Sequence, residues 1–174
     1  MRKIAFILGG ARSGKSTLAL QEASAFEGKK AFIATAQALD DEMRLRIDNH
    51  KKERGNNWNT FEEPLFISRL MNDLKDSYDV ILIDCLTLWI SNMMHSGFDI
   101  DKATDEFIDV ISHDSPALLY IVSNEVGMGL VPESELARAY RDNLGFVNRR
   151  VAGAATDVYF MAAGIPLKIK GLNK

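Results

Sequence analysis

A short apolar strand that runs directly into a glycine-rich turn and then a helix leaves this chain few options for its fold. Lys3-Ile4-Ala5-Phe6-Ile7-Leu8 reads as a buried strand, and the residues from Lys15 to Phe26 read as a helix. Between them, Gly9-Gly10-Ala11-Arg12-Ser13-Gly14-Lys15-Ser16 fits the phosphate-loop pattern G-x-x-x-x-G-K-[ST], and Thr17 follows. Small residues in such a loop let backbone N–H groups fold around a phosphate. The positive end of the following helix then points at the anion. Lys15 is placed to reach the outer phosphates, and the Ser16 hydroxyl to bind Mg²⁺. The alternative is an ordinary glycine-rich turn, and the position between strand and helix argues against it.

The rest of the chain repeats the alternation. Strands are expected at Lys3–Leu8, Ala31–Thr35, Trp58–Phe61, Val80–Asp84, Leu118–Ser123, Asp157–Met161 and Pro166–Lys170. Helices are expected at Lys15–Phe26, Asp41–Arg54, Leu65–Leu74, Leu86–His95, Lys102–Ser112 and Glu133–Ala155. This order predicts an α/β fold with a mostly parallel sheet of about seven strands and helices on both faces. Val80-Ile81-Leu82-Ile83 and Leu118-Leu119-Tyr120-Ile121-Val122 are apolar throughout, as central parallel strands should be. Only Ala162-Ala163-Gly164-Ile165 separates the last two strands, too short a link for a helical crossover, so an antiparallel hairpin is expected at one sheet edge. Ser96–Asp101, polar and with a glycine, reads as the softest segment.

The 174 residues suit one domain with a single core, and 47 % apolar content is ordinary for a globular protein. A net charge of −3 gives no attraction to nucleic acid or membrane. Cys85 is the only cysteine, so no intramolecular disulfide can form, which fits a reducing cytoplasm. The first core strand begins at the third residue, leaving no room for a cleavable signal, and no apolar run approaches the ~18 residues of a membrane span. A soluble cytoplasmic protein is expected.

Several further residues are of types that carry chemistry. Asp84 ends a buried strand, where an acid holds Mg²⁺ beside nucleotide phosphates in phosphate-loop proteins; a helix cap for Leu86 onward is the bland alternative. In the segment from Asp40 to Arg54, Leu39, Met43 and Ile47 form an apolar stripe, and His50 falls next on that face. Arg46 and Arg54 lie one turn either side of His50, and Lys51 adjoins it. Neighbouring cations favour neutral, nucleophilic imidazole and could hold a polyphosphate. By spacing alone, a helix histidine at the core margin, with the cations simply solvated, is the favoured reading. Ser123-Asn124-Glu125-Val126-Gly127-Met128-Gly129 follows a core strand and reads as either a substrate loop or an exposed turn. Arg138 and Arg141 are nearer that loop than Arg149 and Arg150, and all four read as a solvated helix face unless a phosphate lies close. His95 and His113 read as structural, with no zinc site, and Trp58 and Trp89 as packing residues.

Together these segments resemble the bifunctional adenosylcobinamide kinase / adenosylcobinamide-phosphate guanylyltransferase family of cobalamin assembly and salvage. The resemblance rests on GGARSGKST, IATAQALDDEMRLRIDNHKKER, LIDCLTLWISNMM and the closing block from VSNEVGMGLVPESELARAYRDNLGFVNRR to AAGIPLKIK. It implies a RecA-like phosphate-loop sheet and a homotrimer. It implies phosphorylation of adenosylcobinamide by ATP or GTP, then transfer of GMP from GTP to that phosphate through a covalent histidine. Matched within RIDNHKKER, that histidine is His50. The implied nucleotide contacts are Gly9, Gly10, Ala11, Arg12, Ser13, Gly14, Lys15, Ser16, Ala34, Thr35, Lys51, Lys52, Glu53, Arg54, Glu62 and Asp84, with Mg²⁺ on Ser16 and Asp84. Lys15 and His50 are the catalytic pair, and the segment Asp41–Arg54 is expected to move so that His50 reaches the nucleotide. Asn49 stands where some members carry a second histidine, Asp84 where some carry glutamate, and Gly55 where proline is frequent. A monofunctional small-molecule kinase with a structural His50, or a nucleotide-gated binding module, is the rival. The chain has no N-K-x-D guanine-reading sequence to support the latter.

Overall fold

The computed structural model describes residues 3–37, 41, 44–45, 57–113 and 115–171. One seven-stranded sheet runs through them, formed by β1 (Ile4–Gly9), β2 (Lys30–Ala34), β3 (Trp58–Glu62), β4 (Val80–Asp84), β5 (Leu118–Asn124), β6 (Asp157–Ala162) and β7 (Ile165–Lys170). The order is β3-β2-β4-β5-β1-β6-β7. All neighbours are parallel except β6 and β7, which form the expected antiparallel hairpin at the edge. Five helices accompany it among the described residues: α1 (Lys15–Ser24), α2 (Ile67–Leu74), α3 (Leu86–His95), α4 (Ile100–Ser112) and α5 (Glu135–Ala154).

The central strands are apolar on both sides because both faces are covered. Alternation along β1, β4 and β5 sends Phe6, Ile81, Ile83, Leu119 and Ile121 into one cluster with residues of α2 to α5. Ala5, Ile7, Val80, Leu82, Tyr120 and Val122 go to the other face, where α1 lies. Ala19 and Ala23 of α1, one turn apart, are fully buried, and their small side chains let the helix sit close on β1, β4 and β5. Trp58 and Trp89 pack as expected. The Trp89 indole N–H donates to the Leu65 carbonyl at 2.8 Å, and its ring lies 5.4 Å from that of Phe107.

Three helix starts differ from the sequence expectation, and α1 ends at Ser24 where Phe26 was expected. The first turn of α4 begins at Ile100, not Lys102, because the Asp99 carboxylate accepts the Lys102 N–H at 3.0 Å. Two residues of the expected start of α2 are lost because Glu63 accepts the N–H groups of Leu65 and Phe66 in a turn. In α5 the helix starts after Ser134, whose hydroxyl accepts from the Ala137 N–H. Of the helix expected over Asp41–Arg54, residues 41, 44 and 45 are described and are helical. His50, Lys51, Lys52, Glu53 and Arg54 lie outside the described residues.

Candidate functional site

The sheet register gathers the candidate residues at one end. Ala34 is the Cα partner of Glu62 on one side and of Asp84 on the other. Asp84 in turn pairs with Val122 of β5, and Asn124, two residues on, pairs with Gly9 of β1. Glu62, Ala34, Asp84, Asn124 and Gly9 therefore stand at the carboxyl ends of five adjacent parallel strands, where ligand crevices of open α/β sheets form.

The loop from Gly9 to Ser16 has backbone angles that demand glycine at positions 9 and 14. Gly9 has φ +152°, and a Cβ there would lie 2.5 Å from the Met161 carbonyl oxygen. Gly14 caps α1 with φ +91°, and its carbonyl accepts the Leu18 N–H at 3.0 Å. Arg12 is also left-handed, at φ +55°. The turn of the β6–β7 hairpin supports the loop from behind, where the Gly164 N–H donates to the Ser13 carbonyl at 3.2 Å. Lys15 is buried, with its ammonium donating to the Gly10 carbonyl and lying 3.4 Å from the Ser13 hydroxyl oxygen. The chain thus holds a cation inside a ring of backbone at a helix N-terminus, the arrangement that binds polyphosphate.

Ser16 Oγ donates to Asp84 Oδ1 at 3.3 Å. A hydroxyl and a carboxylate side by side at the mouth of the loop are hard oxygen donors that suit Mg²⁺, which takes few protein ligands beside phosphate oxygens. Thr35, fully buried, sits beneath this pair. Its hydroxyl donates to the Cys85 carbonyl at 2.7 Å and accepts the Cys85 N–H at 2.9 Å, while its own N–H donates to the Asp84 carbonyl at 3.2 Å. Asn92 of α3 donates to the Thr35 carbonyl at 2.8 Å. Thr35 is thus a brace that fixes the end of β4. Burial pushes the Cys85 thiol up to about 11, and the neighbouring Asp84 carboxylate adds to the shift.

The end of β5 is held from the opposite face of the sheet. Thr87 Oγ1 accepts the Asn124 N–H at 2.8 Å, and Asn148 Nδ2 of α5 donates to the Asn124 carbonyl at 2.9 Å. The Tyr140 hydroxyl donates to the Thr87 carbonyl at 3.2 Å. Thr87, Asn92, Tyr140 and Asn148 were not singled out in the sequence. For Asn148 a signal was present, because a polar residue interrupts the buried run Leu144, Val147 and Val151.

Arg138, Arg141 and Arg150 are spent on protein partners. Arg138 donates to the carbonyls of Pro132 (3.0 Å) and Glu133 (2.6 Å) before its own helix. Arg141 pairs with Asp142 at 3.0 Å, and Arg150 with Asp105 at 2.7 Å. His95, at the end of its helix, and His113, just after its helix, each contact the carbonyl four residues back, of Ser91 and Asp109. Among the described residues no group of three His, Cys, Asp or Glu side chains could hold a metal ion, and no helix is long and apolar enough to cross a membrane.

Residues 5–169 match the sequence family described as cobinamide kinase / cobinamide phosphate guanyltransferase. The chain is 38 % identical to the bifunctional adenosylcobalamin biosynthesis protein CobP of Pseudomonas aeruginosa, over 95 % of this chain and 96 % of that one. It is 39 % identical to the bifunctional adenosylcobalamin biosynthesis protein CobU of Salmonella typhimurium, over 94 % of this chain and 98 % of that one. Among solved structures it is similar to the RadB recombinase, with a TM-score of 0.46 and 14 % identity, covering 91 % of this chain and 73 % of that one. With a family match across nearly its whole length and relatives of this identity, the chain belongs to the cobinamide kinase / cobinamide phosphate guanyltransferase family.

Proposed function

We propose that this chain is a bifunctional enzyme of cobalamin biosynthesis. It phosphorylates adenosylcobinamide with ATP or GTP and then converts the product to adenosylcobinamide-GDP. The single observation that carries the reading is the phosphate loop, with Lys15 buried inside it and Ser16 against Asp84, in a chain of this family. In the first step the substrate hydroxyl oxygen bonds to the γ-phosphorus and the bond to the β–γ bridging oxygen breaks. The nucleoside diphosphate leaves with that electron pair, and the hydroxyl proton is lost. Lys15 and the loop N–H groups neutralise and orient the phosphates throughout, so this chain's contribution is positioning and charge. Mg²⁺ on Ser16 and Asp84 would supply further charge neutralisation.

In the second step neutral His50 attacks the α-phosphorus of GTP and pyrophosphate leaves. The phosphoramidate then passes GMP to the cobinamide phosphate oxygen, restoring the imidazole. Two easier displacements replace one difficult one. Lys51, Lys52, Glu53 and Arg54, which follow His50, and Glu62, Ala34 and Thr35 complete the nucleotide site in this proposal. A single catalytic domain, a homotrimer and a cytoplasmic location belong to the same reading and rest on the family resemblance.

The test is incubation with Mg²⁺ and GTP labelled on the α-phosphate, comparing wild type with His50→Ala and removing pyrophosphate enzymatically. Acid-labile, alkali-stable label on wild type alone is the expected result. An unlabelled wild type would leave a monofunctional phosphate-loop kinase as the account of this chain.

A further inference from the structure

Asn124 stands at the carboxyl end of β5, the strand that separates β1 with its phosphate loop from β4 with Asp84. Its Cα partner is Gly9, and the next residue, Glu125, donates its N–H to the Gly9 carbonyl at 3.0 Å. Along β5, Tyr120 and Val122 face the α1 side, whereas Leu119 and Ile121 face the other. The period of two puts Asn124 on the α1 side, the side of the phosphate loop.

The backbone of Asn124 is clamped at both polar groups by side chains from α3 and α5, Thr87 and Asn148. The Asn148 clamp is costly. Asn148 is 5 % exposed, and its Oδ1 is buried without a hydrogen-bond partner among the described residues. A half-satisfied amide in an apolar layer destabilises the fold, and leucine at that position would avoid the cost. What the amide does achieve is one bond, to the Asn124 carbonyl. The Asn124 side-chain amide itself makes no hydrogen bond among the described residues, although the residue is partly buried. A backbone fixed this firmly around an uncommitted amide beside Gly9 is the construction of a ligand-contacting residue.

We propose that the Asn124 side-chain amide contacts the terminal phosphate of the nucleotide held by the phosphate loop, with Thr87 and Asn148 as its positioning residues. The inference rests on the nucleotide-site reading above. Nδ2 donates to a non-bridging oxygen of the γ-phosphate, and being uncharged it does not compete with Asp84 for a cation. A nucleoside diphosphate has no such oxygen, so the contact distinguishes triphosphate from diphosphate.

The test uses the full chain with Mg²⁺ and measures the affinities of ADP and of a non-hydrolysable ATP analogue. Asn124→Ala is expected to weaken the analogue about 10- to 100-fold, the worth of a hydrogen bond to a charged group, and to leave ADP within about twofold. Asn124→Asp, the same size but anionic, is expected to weaken the analogue further, and it carries the same comparison if the alanine variant does not fold. Asn148→Leu is expected to keep or raise the melting temperature while lowering the triphosphate preference and kcat, with KM for the acceptor unchanged. A merely structural Asn148 would lose stability and leave that preference alone. Wild-type preference in Asn124→Ala or Asn124→Asp overturns the assignment while the nucleotide site stands. Failure of the unaltered chain to bind either nucleotide overturns the underlying reading and the assignment with it.

Discussion

Ser16 Oγ and Asp84 Oδ1 lie 3.3 Å apart although 68 positions separate them in the chain. Ser16 lies in the first turn of α1, which follows β1, whereas Asp84 ends β4, and β5 lies between β1 and β4. The loop leaving β1 must therefore arch over the end of β5 to bring Ser16 to Asp84.

Asp84→Asn keeps the size and the hydrogen-bonding capacity toward Ser16 but removes the charge that would hold a divalent cation. Phosphoryl transfer at saturating Mg²⁺ is expected to fall at least about 100-fold, in line with the loss of a preorganised electrostatic group. Nucleotide affinity measured in EDTA is expected to stay or improve, because one negative charge has left the neighbourhood of the phosphates. Equal loss in EDTA and in Mg²⁺ would show that Asp84 supports the fold rather than the ion.

Gly9→Ala tests whether the loop's path is forced. The added methyl would lie 2.5 Å from the Met161 carbonyl oxygen, a backbone atom in the neighbouring strand, at a φ of +152°. Nothing flexible can yield there, so β1 and β6 must separate. We expect a loss of about 2–4 kcal/mol in denaturant unfolding, within the range of severe single substitutions with a named steric cause. Gly10→Ala serves as the control, since a Cβ there meets nothing within 4 Å.

Much of this arrangement was legible in the sequence because the signals are local. Val80–Asp84 and Leu86–His95 have the expected ends, and the β6–β7 hairpin followed from a link too short for anything else. The strand order was not legible, because β5 enters between β1 and β4 through contacts more than a hundred residues apart from Gly9. Asp99 and Ser134, each accepting an N–H three residues on, were readable capping signals that the polar composition of their surroundings concealed. In the site, Lys15, Ser16 and Asp84 were found by motif and position. Thr87, Asn92 and Asn148 act on backbone groups across the sheet, and no spacing rule links them to those partners.

Cys85 is next to the site yet is expected to be a poor nucleophile. Burial and the Asp84 charge push its thiol up to about 11, so near pH 7.5 thiolate is scarce. Alkylation of the native protein is expected to run about a hundredfold slower than that of a free cysteine. The rate is expected to climb through pH 9–11, provided the fold persists. Rapid labelling at pH 7.5 that nucleotide does not slow would contradict this environment. Asp84→Asn removes the second cause of the shift, and it is expected to speed the labelling modestly.

The hairpin behind the phosphate loop supplies an acid-sensitive element. Asp157 of β6 and Lys168 of β7 lie 2.7 Å apart, and Thr156 Oγ1 donates to the other carboxylate oxygen at 3.0 Å. Burial alone would raise the Asp157 carboxyl, but the hydrogen bonds from Lys168 and Thr156, together with the lysine charge, outweigh it and hold the group below its usual range. A carboxyl with a lowered folded value stabilises the protein fully above its unfolded value, near 3.9, and loses that stabilisation as pH falls through the folded value. Asp157→Asn is therefore expected to cost about 1–2 kcal/mol at pH 7, where the charge-assisted bonds are lost. As pH falls through the lowered folded value the two proteins are expected to converge, since protonation of the wild-type carboxyl removes the same charge. Because the Gly164 N–H of this hairpin supports the Ser13 carbonyl, the neutral-pH variant is also expected to bind nucleotide more weakly, by about twofold to fivefold for one loosened neutral hydrogen bond. A difference in unfolding free energy that stays constant from pH 7 down through the acid range would show that the pair contributes packing and no charge.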